Sequence, residues 1–164
     1  MENKTLFSTI YTAFLSKVTD DMYGDTWTEQ DVMKDLEPML QSATTKFRFP
    51  RFPIFDYVLS TETDEGYFNS TLSYDEIEIL SQLMILEWLT RQLTTYENTK
   101  QKVYSSSDFK LSSQANHMDK LVKMKSAFNT ESRKSQDLYS RRKRDSKGMA
   151  VSTLSSLGGG ALDK

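Results

Sequence analysis

Apolar residues at the start of the chain recur at steps of three and four positions, which is the spacing of a helix that faces a core. The spacing predicts a first helix over about residues 4–18, and the Asp- and Gly-rich residues 20–25 that follow are typical of a turn. The apolar positions of this helix are Phe7, Ile10, Tyr11, Phe14, Leu15 and Val18.

The region around Pro38 predicts two separate helices. Thr28 followed by Asp31 resembles a capping box, which indicates that a short helix begins there. Proline fits poorly inside a helix but well in its first turn, so we expect a second helix over about residues 38–47. The residues that this second helix is expected to bury are Met39, Leu40, Ala43 and Phe47.

A segment with two prolines, residues 47–53, separates these helices from two β-rich segments. Each proline favours extended geometry in the residue before it, so this segment is not helical. Residues 54–59 and 67–72 flank the turn-forming residues 63–66, and together they predict one small β-hairpin over about residues 54–72.

The most hydrophobic helix of the chain is predicted to begin at a second capping box. The Ser73 hydroxyl is expected to accept a hydrogen bond from the Glu76 backbone, and the Glu76 side chain is expected to bind the Ser73 backbone in return. Apolar residues then lie on nearly every side of a helix over about residues 73–97. A helix of this kind is buried on most sides, so we expect it at the centre of the fold.

The last predicted helix begins near Ser112 or Ser113 and has a narrower apolar stripe. After Phe128, only Leu138 and Tyr139 are large apolar residues before the helix ends. We therefore expect this helix to begin docked on the body and then to project away from it. Phe128, Leu138 and Tyr139 would then face neighbouring copies of the chain.

Residues 146–164 are rich in Ser and Gly, and Val151, Leu154 and Leu157 are their hydrophobic anchors. This composition predicts an extended tail that is disordered on its own. The whole pattern predicts a mainly α fold. A helical bundle over residues 1–145, with the small β-hairpin and a long C-terminal helix, is followed by the extended tail.

The two parts of the chain carry opposite charge. Residues 1–99 contain 7 Lys and Arg against 17 Asp and Glu, whereas residues 100–164 contain 14 against 6, and the net charge is −2. Such asymmetry concerns partners and assembly rather than fold. The basic part has its strongest run at Arg141, Arg142, Lys143 and Arg144.

This basic run has three interpretations. Its cations can complement the dipole at a solvated helix end, contact an acidic protein surface, or contact nucleic acid phosphates. Base-specific binding would need a compact docking motif, which the pattern does not predict. The phosphate interpretation leads to an alternative function, a cytosolic nucleic-acid-associated helical protein that uses the basic segment 133–147.

Residue types that form catalytic or metal sites are scarce. The chain has no cysteine, and its one histidine, His117, has no second histidine to share a metal, so we expect His117 to face solvent or cap a helix. Asp75, Glu76 and Glu78 lie at a predicted helix N-terminus, where acids complement the dipole. We therefore expect no enzyme, no metal and no cofactor.

The remaining composition is that of an ordinary soluble protein. Nine Phe, eight Tyr and two Trp can supply a hydrophobic core for one domain. No window approaches the roughly 20 apolar residues that span a bilayer, and the first residues lack the apolar stretch of a signal peptide. We expect a soluble, unexported protein.

The order of these features resembles a known family. A hydrophobic helix over residues 73–89, the sequence Asp-Phe-Lys at 108–110 and a long basic helix over about 118–141 follow one another. This order is similar to that in the small helical neck proteins of tailed bacteriophages, the head–tail connector or adaptor family. The resemblance covers about residues 5–145 and includes the predicted helix over residues 38–47.

The resemblance implies a structural virion protein that acts through its surfaces. Such proteins form a ring, commonly twelve-fold, beneath the portal protein, where the ring extends the DNA channel and joins capsid to tail. The implied partners are the portal protein, neighbouring copies of the chain, the next neck or tail-completion protein, and packaged DNA bound without sequence specificity, with no membrane. The implied location is the neck of the virion, and the host cytoplasm during assembly.

The family also suggests roles for the two C-terminal features. Related adaptors often hold the portal through a C-terminal extension, so Val151, Leu154 and Leu157 are expected to dock on the portal. The basic run at 141–144 is expected to line the channel or to seat against acidic neighbours.

Overall fold

The computed structural model describes residues 4–18, 23, 27–103 and 111–142, with backbone only at residues 99–103 and 111–115. The predicted tail, the linker near Ser105 and the turn residues 20–22 and 24–26 lie outside these residues. The elements in chain order are β1 (Thr5–Leu6), α1 (Phe7–Leu15), α2 (Glu29–Lys46), β2 (Tyr57–Val58), β3 (Tyr67–Phe68), α3 (Tyr74–Val103) and α4 (Leu111–Arg141). The predicted mainly α fold, with a long last helix and a small hairpin, is confirmed.

The hairpin gains a third strand from the start of the chain. β1 pairs antiparallel with β3, so the sheet order is β1-β3-β2, and α1 begins only at Phe7 instead of at the predicted residue 4. The Thr5 hydroxyl donates to the Ser70 carbonyl at 3.0 Å and accepts from the Leu72 amide at 2.8 Å. These bonds hold the start of the chain as a strand, so that the helix begins only with the first apolar position of its stripe, Phe7.

The hairpin strands are shorter than predicted, at two residues each. A turn in which the Asp56 amide donates to the Pro53 carbonyl at 2.9 Å takes up the residues before Tyr57. After Phe68 the chain turns away towards the Thr5 hydroxyl, which binds the backbone of Leu72. The turn at Pro53 therefore limits the length of β2, and the contact of Leu72 with the Thr5 hydroxyl limits the length of β3.

The predicted division of the second helical region at Pro38 is wrong. One helix, α2, runs through Pro38, and the predicted capping box is present at its start, where Thr28 Oγ1 accepts from the Asp31 amide at 3.2 Å. The proline ring is exposed and removes only the hydrogen bond to the Lys34 carbonyl. Leu36 and Leu40 lie on one buried face on either side of it, and the burial of this face offsets a cost of about 3 kcal/mol.

α3 is the central helix, as predicted, and it extends beyond the predicted end at residue 97 to Val103. It packs against α1, α2 and α4. Its side chains are buried without a break from Ile79 to Leu86, which requires neighbours on every side. No helix among the described residues is both long enough and apolar enough to cross a membrane.

A continuous series of aromatic rings connects the first helix to the last. Phe7 contacts Phe68, Phe68 contacts Phe52, Phe52 contacts Phe47, and Phe47 contacts Tyr139, with ring centroids 5.2, 6.2, 5.9 and 5.4 Å apart. All four pairs meet edge to face, the arrangement that ring quadrupoles favour. The sheet, the proline-containing loop and the end of α4 therefore belong to one core.

The expected projection of the last helix away from the body is wrong. α4 packs along α3, and its final turns bury Ser132, Gln136 and Tyr139. These residues continue the three- and four-residue steps that begin at Leu121 and Phe128. Ser132 and Gln136 are polar, so a pattern of apolar residues does not include them. Hydrogen bonds compensate the burial of both side chains.

Gly66 is expected to tolerate no side chain, because a Cβ there would lie 2.5 Å from the buried ring of Phe7 and 3.0 Å from the Ser60 backbone nitrogen. The Gly66→Ala variant should lose about 1–3 kcal/mol of unfolding free energy, the usual cost of overpacking. Chemical denaturation followed by circular dichroism measures this loss. Glu62→Ala, an exposed change in the same loop, should leave stability unchanged within about 0.5 kcal/mol.

Candidate interaction surfaces around the last helix

The C-terminal end of α4 is held by the first turn of α3 and by the loop after α2. The Tyr139 hydroxyl donates to Glu76 Oε1 in a short hydrogen bond, and both residues are buried. In the loop, the Arg48 amide donates to Gln136 Oε1 at 2.7 Å, and the Arg51 amide approaches the Tyr139 hydroxyl at 3.3 Å. These bonds join three segments that are far apart in the sequence.

Arg51 also caps the last turn of α4. Its Nη2 donates to the carbonyl oxygens of Tyr139, Ser140 and Arg142 at 2.9, 3.0 and 2.6 Å. The last carbonyls of a helix have no partners within the helix, and a cation there complements the dipole. The residue that stabilises this helix end therefore comes from a distant loop, and sequence spacing gives no sign of it.

The capping box expected at Ser73 is only half present. Glu76 Oε2 accepts from the Ser73 amide at 2.6 Å, as predicted. The Glu76 amide, however, donates to the Ser73 carbonyl at 3.0 Å instead of to its hydroxyl. The buried Ser73 hydroxyl has no hydrogen-bond partner among the described residues. Glu76 thus binds the start of α3 with one oxygen and the end of α4 with the other.

The three residues predicted to form an inter-subunit face, Phe128, Leu138 and Tyr139, do not lie together on one exposed surface. Tyr139 is 1% exposed in the chain's own core, and Phe128 is half-buried against that core. Both residues face the body because α4 packs along α3. Tyr139 is therefore not exposed to a neighbouring copy. Leu138 is 59% exposed, and its contact with a neighbouring copy stays a prediction.

Only the first half of the basic run lies within the described residues. Arg141 is exposed, whereas Arg142 Nη1 pairs with Asp75 at the first turn of α3. Lys143 and Arg144 lie outside the described residues, as do the tail anchors Val151, Leu154 and Leu157. The placement of all five on a partner stays a prediction.

The outward side of α4 carries a row of cations that extends well before the predicted run. Lys120, Lys134 and Arg141 are exposed. They are separated by 14 and 7 residues, which are about four turns and two turns of a helix, so they lie along one side of α4. No ion pair joins them to a carboxylate within the described part of the chain. We call these three residues the basic row. At 1.5 Å per residue it is about 30 Å long.

Four exposed apolar side chains lie on the segments that meet near the end of α4. Leu138 belongs to its last turn, Phe49 and Phe55 flank Arg51 in the loop, and Tyr74 begins α3 beside the carboxylate that pairs with the helix end. They are 59%, 47%, 67% and 91% exposed. Leu138 is four residues after Lys134 and three before Arg141, so it lies on the side of α4 that carries the basic row.

A second cluster of charged residues joins α2 to α3. Arg91 binds Asp35 through two parallel hydrogen bonds of 2.8 and 2.6 Å, and the Tyr23 hydroxyl donates to the same carboxylate at 2.9 Å. The hydrogen bonds from Arg91 hold the pKa of Asp35 below its usual range. Burial is the main reason that the pKa of Tyr23 is raised. A carboxylate held ionised in this way is poorly suited to proton transfer near neutral pH.

The remaining candidate residues form no centre within the described part of the chain. His117 is exposed, as predicted, with its ring 6.3 Å from that of Tyr96. Among the described residues, no group of three His, Asp or Glu side chains is placed to hold a metal ion. The basic row of α4 is therefore the candidate surface for function.

Comparison with protein-family models, with curated proteins and with solved structures finds no match to the chain.

The Tyr139→Phe variant should lose about 1–3 kcal/mol of unfolding free energy, because it removes a hydroxyl that donates to the buried Glu76 carboxylate. Urea denaturation of both proteins measures the difference. Tyr74→Phe removes the same atom from a side chain that is 91% exposed, and it should change stability by less than about 0.5 kcal/mol. Equal effects of the two changes would contradict a special role for the Tyr139 hydroxyl.

The Asp35→Asn variant should lower stability by about 1 kcal/mol at pH 7, a modest value because Arg91 is half exposed to solvent. The pKa of Asp35 is lowered in the folded state. Its ionised form therefore stabilises the fold above the unfolded pKa of about 3.9, and this contribution is lost as pH falls through the folded pKa. Denaturation at pH 7 and pH 3 should show the gap between variant and wild type shrinking at low pH.

Proposed function

We propose that this protein is a subunit of a bacteriophage head–tail connector, which assembles as a ring beneath the portal protein and joins capsid to tail. The observation that carries the proposal is the basic row of α4 on a body whose first 99 residues are strongly acidic. A molecule with two surfaces of opposite charge is suited to head-to-tail contacts, in which one patch meets a different patch on the next copy.

Candidate acidic partners for the basic row lie in the hairpin region. Asp56, Glu62 and Asp64 are exposed there, and no cation pairs with them in the described part of the chain. If every copy makes the same heterologous contact with the next and a whole number of these rotations completes a full turn, the copies form a closed ring. In this arrangement α4 of each copy would face the hairpin loop of the next.

The partners of the ring follow from the same proposal. The tail anchors Val151, Leu154 and Leu157 dock on the portal protein, and the next neck or tail-completion protein binds the opposite face. Packaged DNA passes through the channel and is contacted without base-specific recognition. The place of action is the virion neck, after assembly in the host cytoplasm, and the function requires no catalysis.

The basic row also supports a second candidate, a nucleic-acid-associated protein that uses the segment 133–147. Arg133, Lys134 and Arg141 of this segment are exposed, and they span about 12 Å along α4, which corresponds to about three or four base pairs of a duplex. Strong binding of the isolated chain to duplex DNA, weakening steeply with salt, would favour this candidate. Such binding in the absence of any ring would contradict the connector.

Mass photometry and negative-stain microscopy of the purified chain, alone and mixed with the portal protein of the same phage, test the proposal. We expect rings in at least one of these samples. The double change Lys134→Glu and Arg141→Glu should abolish the rings, because it reverses the charge of the basic row, while the circular dichroism spectrum stays that of the wild type. Lys34→Glu, an exposed charge reversal on α2, is the control and should leave the rings intact.

Deletion of residues 148–164 tests the proposed role of the tail. The shortened chain should keep its folded helical spectrum, because the described core ends at Arg142, and it should lose attachment to the portal protein. Co-sedimentation with the portal measures attachment. Unchanged attachment of the shortened chain would rule out the tail as the portal-binding segment.

A further inference from the structure

The outer face of the small sheet carries a row of apolar side chains. Leu6 is paired with Tyr67, and Tyr67 is paired with Val58, so the three residues are direct neighbours across β1, β3 and β2. Side chains that oppose one another in this way lie on the same face, with Cβ atoms about 5 Å apart. Leu6 and Val58 are 46% and 41% exposed, whereas Thr5 and Phe68, on the opposite face, are buried in the core. We call Leu6, Tyr67 and Val58 the sheet stripe.

The surroundings of the sheet stripe are acidic. Asp56 continues the pairing of β2 with β3, because its carbonyl oxygen accepts from the Asn69 amide at 3.0 Å, and it stands two residues before a stripe residue on the same face. Glu62 and Asp64 are exposed in the loop that joins β2 to β3. A cation is present as well, since Lys4 Nζ lies 4.2 Å from the centre of the stripe's tyrosine ring. Three carboxylates against this ammonium group leave the stripe in negative surroundings.

The last two turns of α4 have the complementary character. Leu138 is 59% exposed and lies between Lys134, one turn before it, and Arg141, one turn after it. No ion pair joins either cation to a carboxylate within the described residues. Glu131 is exposed on the same side two turns before Leu138, so the uninterrupted basic and apolar surface begins after it.

The two surfaces match in size as well as in charge, and neither covers the other within one chain. Three paired strands measure about 10 Å from the first to the last, which is about the diameter of one helix with its side chains. Within the chain α4 packs along α3, and Leu138, Leu6 and Val58 all stay exposed. Contact between the sheet stripe and the end of α4 therefore requires two copies of the chain.

We propose that the sheet stripe of one copy binds the last two turns of α4 of a second copy. Leu138 packs on the stripe, and Lys134 and Arg141 lie beside the carboxylates of the hairpin. The two surfaces differ, so the contact is heterologous, and each copy keeps one surface of each kind for a further copy. The inference rests on the proposed function, because it specifies the contact between successive copies of the ring.

Two variants that each lose one surface test this contact. Leu6→Thr with Val58→Thr removes the apolar groups of the stripe and keeps β-branched residues in the strands. Leu138→Glu places a carboxylate against the acidic hairpin of the next copy. Each variant alone should self-associate at least about tenfold more weakly than the wild type. When the two variants are mixed, they should form a complex of one copy of each and nothing larger, because only one intact pair of surfaces remains. Sedimentation velocity measures both results.

Both elements offer matched control variants. Val122→Glu makes the same kind of change at a residue that is 47% exposed on α4, but 16 residues before Leu138 and on another side of the helix. Leu59→Thr removes an apolar group that is 44% exposed and follows β2 outside the stripe. Both controls should associate as the wild type does. Monomers in the mixture of the two test variants at about 0.1 mM would overturn the contact, because a complex with a Kd of about 10 μM is largely formed there.

Disulfide formation tests the position of the contact with one small substitution in each chain. The chain has no cysteine, so Val58→Cys and Leu138→Cys each introduce a single thiol. In an equimolar mixture equilibrated with glutathione, the mixed disulfide should exceed each homodimer about tenfold or more. Statistical proportions would overturn the proposal. An excess of the disulfide between two Leu138→Cys chains would also overturn it, because it would place α4 against a second α4.

These outcomes separate the contact from the connector function. The complex of one copy of each variant, together with a wild type that forms no ring alone or with the portal, would support the contact and contradict the connector. Rings that persist in the Leu138→Glu variant would overturn the contact and would still agree with the connector.

Discussion

The buried hydrogen bond from Tyr139 to Glu76 joins the last turns of α4 to the first turn of α3, the two longest helices of the described residues. Glu76 is 5% exposed and belongs to the first turn of α3, whereas Tyr139 belongs to the last turns of α4. Removing the hydroxyl would withdraw a donor from a buried carboxylate, which costs more than the bond contributes by itself. The aromatic series from Phe7 ends on the same tyrosine, so the sheet and the proline-containing loop depend on this junction too. The cap that Arg51 places on α4 requires the same arrangement.

The junction also determines which surfaces the protein presents. Once Tyr139 faces the core, the period of the helix turns Lys134 and Arg141 towards solvent. The same end of α4 is tied to the first turn of α3, where Arg142 pairs with Asp75. The exposed cations of α4 are thus held in a fixed relation to the acidic body by one buried core, and the proposal of assembly through them depends on that relation.

Several predictions from the sequence were wrong because a tertiary interaction outweighed the local preference on which the prediction rested. The rule against proline inside a helix predicted a break at Pro38, but burial of Leu36 and Leu40 on one face keeps α2 continuous. The first helix was predicted to begin at about residue 4, but hydrogen bonds of the Thr5 side chain to residues 70 and 72 place Thr5 in a strand. In each case the residues that provide the competing interaction are distant in the chain: α1 and α3 pack against α2, and residues 70 and 72 bind Thr5. A local sequence pattern does not include such partners.

The sequence by itself determined the mainly α character of the fold, the central position of α3 although not its end at Val103, the presence of a hairpin and the charge difference between the two parts of the chain. These follow from periodicity, capping residues and composition, which act over a few neighbouring positions. Only the tertiary structure decided that α4 returns to the body, because Ser132 and Gln136 are buried through hydrogen bonds that no apolar pattern reveals. It also decided that Tyr139 belongs to the core and that Arg51 caps the last helix. Buried polar contacts depend on partners brought together by the whole fold, and for that reason their positions could not be read from the order of residues.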